Sequence, residues 1–162
     1  MADREALDAK LVELLAGIDF AGRYYAYYAA VRQRARMPDV SQQELVEALA
    51  ATSLDFKYNK KEKFFAHQEQ TATCLVGLNI GFPISSAEFI LNVKAAPGWL
   101  GGPYSVLARR IERLRDPDFE HDPYYPTLPF GNRDELRETV NFGVGLWQEA
   151  KQVIAAYPGW NE

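Results

Sequence analysis

The stretch from Cys74 to Val93 constrains the fold more than any other part of the chain. Read with a period of two, Cys74, Val76, Leu78, Ile80, Phe82 and Ile84 fall on one side, and Leu75, Gly77, Asn79, Gly81 and Pro83 on the other. Successive side chains of a strand point to opposite faces, so one face is solidly apolar and the other nearly bare. Glycine weakens a strand interior, and its presence marks a bulge or a close approach by another backbone or a ligand. A second alternating run sets Phe89, Leu91 and Val93 against Glu88, Ile90, Asn92 and Lys94. Pro83, Ser85 and Ser86 between the runs are turn chemistry. The pattern predicts two antiparallel strands with a short connection, and Gly77, Gly81 and Pro83 argue against a helix over the same residues. The Cys74–Ile84 face is expected to meet helices, chiefly one over 133–157. The Gly77/Gly81 face is either packed or open at this level of reading.

The flanks read mostly as helix. Leu7, Leu11, Leu14, Leu15 and Ile18 recur at helical spacing over 3–17, and Gly17 and Asp19 mark a break. Residues 20–36 continue with Phe20, Tyr24, Tyr27, Tyr28 and Val31, and Arg32, Arg34 and Arg36 crowd the expected C-terminal end, where a helix dipole favours cations. Ser41 and Glu44 have capping-box spacing. Residues 54–70 read as a hairpin, with a helix over 62–72 as the alternative. Ala95–Gly102 reads as a glycine loop and Pro103 as the first residue of a helix with the stripe Val106, Leu107, Ile111 and Leu114. Pro117, Pro123, Pro126 and Pro129 make 116–131 an irregular loop. Asn132 and Glu135 then cap a long helix over 133–157, lined by Leu136, Val140, Trp147, Ala150 and Ile154. With no repeat, low-complexity tract or linker, the expectation is one α+β domain over 1–162, a small antiparallel sheet packed against several helices.

Several chemistries are disfavoured. A single Cys among 162 residues permits no internal disulfide and suits a reducing compartment. No run of about 18 apolar residues spans a membrane, and the N-terminus lacks the basic and apolar segments of a signal peptide, so a cytoplasmic protein is expected. A net charge of −4 argues against a dedicated nucleic-acid binder. Cys74 opens an apolar strand face and reads as a buried structural thiol rather than a nucleophile. His67 and His121 have no partner at zinc-ligand spacing. Asp116, Asp118, Glu120 and Asp122 alternate as in a hard-cation loop but lack the central Gly and closing Glu of an EF-hand. The Gly98–Tyr104 turn lacks the Lys and Ser/Thr of a P-loop. The tyrosines at 24, 25, 27 and 28, close to several arginines, look like a stacking surface for single strands, but their helical spacing fits a core face better. No residue set nominates a catalytic centre or a cofactor.

Lys63–Phe65, Gly77–Leu91, Gly101–Tyr104 and Leu128–Asn132 resemble small bacterial immunity proteins encoded beside secreted polymorphic toxins, over roughly residues 55–157. The resemblance implies a cytoplasmic protein, without catalysis or cofactor, that binds one cognate toxin domain and blocks it; it carries over no catalytic residue. Trp99 and Tyr104 on the glycine loop and Tyr124 and Tyr125 after the acidic run are candidate anchors for such a partner. Against a basic nuclease toxin, Asp116, Asp118, Glu120 and Asp122 would imitate phosphates and steer association. Two other classes stay open: a small-molecule binder using the bare glycine face, and a small enzyme in which His67 or His121 meets two acids.

Overall fold

The computed structural model describes residues 3–162. The chain begins with three helices, α1 (Arg4–Ala16), α2 (Phe20–Val31) and α3 (Gln42–Ala50). The Asp3 carboxylate caps α1 by accepting from the Ala6 N–H at 2.9 Å, and Leu7, Leu11, Val12 and Leu15 are its buried side. Asp19 turns the chain into α2 at φ 55°, a left-handed conformation that Asp tolerates better than most residues. Ser41 and Glu44 form the expected capping box on α3. The helix expected over 20–36 stops at Val31. Tertiary partners claim the basic segment that follows: Arg34 pairs with Glu135 at 3.3 Å and Glu138 at 2.7 Å, Arg36 donates to the Ile84 carbonyl at 2.7 Å, and the Met37 N–H donates to the Phe130 carbonyl at 2.9 Å. Those arginines tie the segment after α2 to the Arg133–Ala156 helix and to the turn at Ile84, and do not cap α2.

Five strands follow as an antiparallel meander: β1 (Lys57–Asn59), β2 (Phe64–Gln70), β3 (Leu75–Gly81), β4 (Ser86–Ala95) and β5 (Gly98–Pro103), in spatial order β1-β2-β3-β4-β5. A two-residue β6 (Leu128–Pro129) pairs with the start of β4. The 54–70 hairpin forms, closed by Asn59, whose side chain accepts from the Glu62 N–H and whose carbonyl accepts from the Lys63 N–H. The expected 95–102 loop is instead largely strand β5, and Pro103 ends that strand ahead of α4 (Tyr104–Arg115). Gly98, Gly101 and Gly102 adopt φ of 128°, 107° and 150°, and a Cβ at Gly101 would collide with the Leu91 carbonyl. Only glycine lets this backbone lie so close to β4.

The apolar face of β3 also ends sooner than its alternation suggests. Val76, Leu78 and Ile80 are fully buried, but the chain leaves the sheet after Gly81, and Ile84 sits in the 3₁₀ turn Pro83–Ser85 at φ 45°, 85% exposed. The helix α5 (Arg133–Ala156) starts at Asn132, whose side chain accepts from the Glu135 N–H, and covers the inner face of β3 and β4. Trp147 donates its indole N–H to the Gly77 carbonyl at 3.0 Å, and the Phe89 ring presses on α5 where Gly143 has no side chain. On α4 the buried residues are Tyr104, Ser105, Leu107, Ala108, Arg109 and Ile111; Val106 is only half-buried and Leu114 is exposed, so the expected stripe is shifted. One continuous apolar cluster runs from Leu7 to Trp160 in this α+β arrangement. Among the described residues no helix is long and apolar enough to cross a membrane.

Candidate interaction site

The acidic loop leaves the C-terminal end of α4 and folds back on it. Arg113 donates its Nε–H to the Phe119 carbonyl at 3.0 Å, and the Asp116 side chain accepts from the Asp118 N–H at 3.2 Å. Asp116, Asp118, Glu120 and Asp122 are all exposed. Beyond them Tyr124 and Tyr125 are exposed and meet edge to face, with ring centroids 4.8 Å apart.

Beneath these rings lies Arg109, only 5% exposed. Its guanidinium carbon is 3.5 Å from the Tyr124 ring centroid and 4.8 Å from that of Tyr125, and Nη2 donates to the Tyr124 carbonyl. Its Nε–H has no partner, and neither does the buried Tyr25 hydroxyl. Burial pushes the Tyr25 phenol up, against an opposing pull from the Arg109 guanidinium. Tyr25 in turn stacks on His121, whose Nδ1 faces the Pro123 carbonyl at 2.9 Å. A buried cation without a counter-ion carries an effective desolvation penalty of several kcal/mol, and each aromatic face returns roughly 0.5–2 kcal/mol of it. Arg109 therefore holds the two tyrosines from below while their outer surfaces stay free. The result is an aromatic platform with an acidic rim, the composition of a protein-binding hot spot.

Six of the eight candidate residues, Asp116, Asp118, Glu120, Asp122, Tyr124 and Tyr125, are exposed along this one loop. Tyr104 is a correction: it is 1% exposed, its hydroxyl donates to the Gly143 carbonyl at 2.8 Å, and its ring packs on Phe20 and Phe89, so it serves the core and cannot anchor a partner. Trp99 stands apart on β5, 43% exposed, at the edge of an open trough on the outer sheet face that Asn59, Phe64, Ala66, Gln68, Asn79 and Asn92 complete. Gly77 sits in register between Gln68 and Asn92, two residues of that trough, whereas Gly81 lies farther along β3. A Cβ at Gly77 would make ordinary contacts with Gln68 and Asn92, and one at Gly81 would meet nothing within 4 Å. Arg109 is a residue that the sequence reading missed; Tyr25 was read there only as part of a tyrosine cluster on a helix.

The histidines and the cysteine have other occupations. His67 Nδ1 faces the Asp55 carbonyl and Nε2 the Glu69 carboxylate, both at 2.8 Å, and Glu69 also accepts from Lys151 at 2.9 Å. Burial raises the Glu69 carboxyl, but the hydrogen bonds from Lys151 and His67 outweigh it and leave it below the usual glutamate range. A cavity of about 500 Å3 lies beside His67, but both ring nitrogens are turned away to internal partners, the Asp55 carbonyl and the Glu69 carboxylate. Cys74 is 1% exposed, with the Thr71 and Thr73 hydroxyls 3.8 Å from its sulfur. Among the described residues no three His, Cys, Asp or Glu side chains are grouped to hold a metal ion. Comparison with protein-family models, curated proteins and solved structures finds no match to this chain.

Proposed function

We propose that this protein is a non-catalytic binding protein whose Tyr124–Tyr125 platform docks on another protein, and that the partner is a cognate bacterial toxin that it neutralises. The observation that carries the docking reading is the pair of exposed tyrosine rings packed over a buried Arg109. Tyr and Arg dominate binding hot spots, and rings already fixed before binding lose little freedom on association. The toxin reading adds the resemblance of residues 55–157 to immunity proteins and the four acids on the rim. A basic toxin surface would be drawn to that rim, because complementary charge raises association rates toward about 10⁸–10⁹ M⁻¹s⁻¹ at low salt.

The test is co-expression with the product of the adjacent gene. A toxin-like neighbour that co-purifies in a tight complex, and whose toxicity the protein suppresses, supports the reading; a neighbour of another kind, or no complex, contradicts it. Reversing Asp116, Asp118, Glu120 and Asp122 to Lys should slow association by tenfold or more at low salt and far less at high salt, where screening shortens the reach of charge to a few ångströms. An unchanged on-rate at low salt removes the steering role.

A further inference from the structure

Next to the platform, Tyr125 forms one wall of a cavity of about 390 Å3 whose other lining residues are Glu88, Pro103, Ser105, Val106 and Thr127. Glu88 is the only charged side chain in that lining. It projects from β4 on the side opposite the buried Phe89. Glu44, Glu69, Glu112, Glu135, Glu138 and Glu149 each form an ion pair with a Lys or Arg; Glu88 has no such pair among the described residues. Around this carboxylate stand two hydroxyl residues, a tyrosine ring and the apolar surfaces of Pro103 and Val106. The volume falls at the small end of ligand sites, which run about 300–1,000 Å3, and suits a single long side chain better than a cofactor.

We infer that this cavity receives an arginine side chain of the docked partner, its guanidinium paired with Glu88 and lying against the Tyr125 ring, its aliphatic stem on Pro103 and Val106. Arginine fits better than lysine, because its planar fork matches a carboxylate with two parallel hydrogen bonds and stacks on an aromatic face. Two positive features oppose it. The N-terminus of α4, at Tyr104 and Ser105, carries about half an elementary charge; the full charge of Glu88 exceeds it. Arg109 touches Tyr125 but is absent from the lining, and the rim acids Glu120 and Asp122 precede Tyr124 and Tyr125 on the same loop. The balance at the cavity therefore favours a cation. This inference rests on the docking reading above and deepens it by naming the chemistry of one contact.

The site can be tested without the partner. Nα-acetyl-arginine N-methylamide is titrated into the protein and followed by amide NMR, with the citrulline analogue as a neutral counterpart of the same shape. The expected result is saturable millimolar binding with shifts at Glu88, Ser105, Val106 and Thr127, at least tenfold weaker for citrulline and for the Glu88→Gln protein. Val106→Phe, which fills the cavity and leaves Glu88 in place, should abolish binding too, and it carries the test if Glu88→Gln does not fold. Equal response to arginine and citrulline, shifts confined elsewhere, or full binding by the variants overturns the site. If the arginine amide binds as expected but co-expression yields no protein partner, the docking reading fails and the site stands. A partner complex unaffected by Glu88→Gln would sink the site and leave the docking reading standing.

Discussion

Two clusters in this molecule are built from the same ingredients and finished differently. On the sheet, Lys151 lies 5.1 Å from the Trp147 ring centroid and pairs with Glu69, which His67 also holds. On the loop after α4, Arg109 lies against Tyr124 and Tyr125 and pairs with no acid. The first cluster is closed: its cation meets a carboxylate, both imidazole nitrogens face acceptors, and the indole N–H is spent on Gly77. The second is open, with an Nε–H and a phenol hydroxyl unpartnered and two rings facing outward. Closed polar networks rigidify and specify a fold, and the open one lies beside the exposed rings of the proposed docking surface.

The contrast breaks most readily at Trp147. Trp147→Ala removes a fully buried indole and leaves the Gly77 carbonyl without its donor, which should cost about 3–5 kcal/mol and lower the thermal midpoint by roughly 10 °C or more. Differential scanning calorimetry checks it, and a drop of only one or two degrees would mean that α5 does not seal the sheet. Next come the two cations. Lys151→Met strands the partly exposed Glu69 and should cost about 0.5–1 kcal/mol, discounted for solvent screening. Arg109→Met replaces an unpaired buried charge by an apolar chain of similar length and should leave stability unchanged or raise it. Chemical denaturation of both proteins decides the comparison; a larger loss for Arg109→Met than for Lys151→Met would show that the loop cluster is closed as well. The smallest effect concerns acid. Because the Glu69 carboxyl is depressed in the fold, its contribution is complete at neutral pH and fades as pH falls below the ordinary glutamate value of about 4.3. Glu69→Gln should flatten that acid limb of the stability curve and leave the curve above pH 6 parallel to wild type.

The parts of the fold that sequence revealed are those governed by local rules. Alternation marked β3 and β4, capping chemistry at Ser41 and Asn132 marked two helix starts, and Gly17 with Asp19 marked a break that the structure places between α1 and α2. Where one long-range contact decides the conformation, the same rules misled. Glycines that weaken an isolated strand make β5 possible, because Gly101 must pass close to Leu91. Arg34 reads as a helix-dipole cation until α5 presents Glu135 and Glu138. The acids and Tyr124–Tyr125 of the candidate site were visible as a cluster because they lie close together along the chain. Arg109 was not visible, since nothing local distinguishes it from its exposed neighbours on α4; its only signal is that it stands four residues after Ser105, on the face that α4 buries. Tyr104 misled for the opposite reason, as its glycine-rich approach suggested a surface loop where the chain was entering the core.

The docking claim itself is tested most directly by the affinity of the Tyr124→Ala/Tyr125→Ala protein for the toxin-like product of the neighbouring gene, measured by calorimetry alongside its thermal midpoint. Removing the two rings takes both faces from the buried Arg109, at about 0.5–2 kcal/mol each, so the thermal midpoint should fall by several degrees while the protein stays folded. As paired hot-spot residues they should cost at least about 2 kcal/mol of binding, a loss of roughly 30-fold or more. A complex weakened by that much, with a double variant still folded at the assay temperature, is the predicted result; wild-type affinity in the double variant would contradict the account.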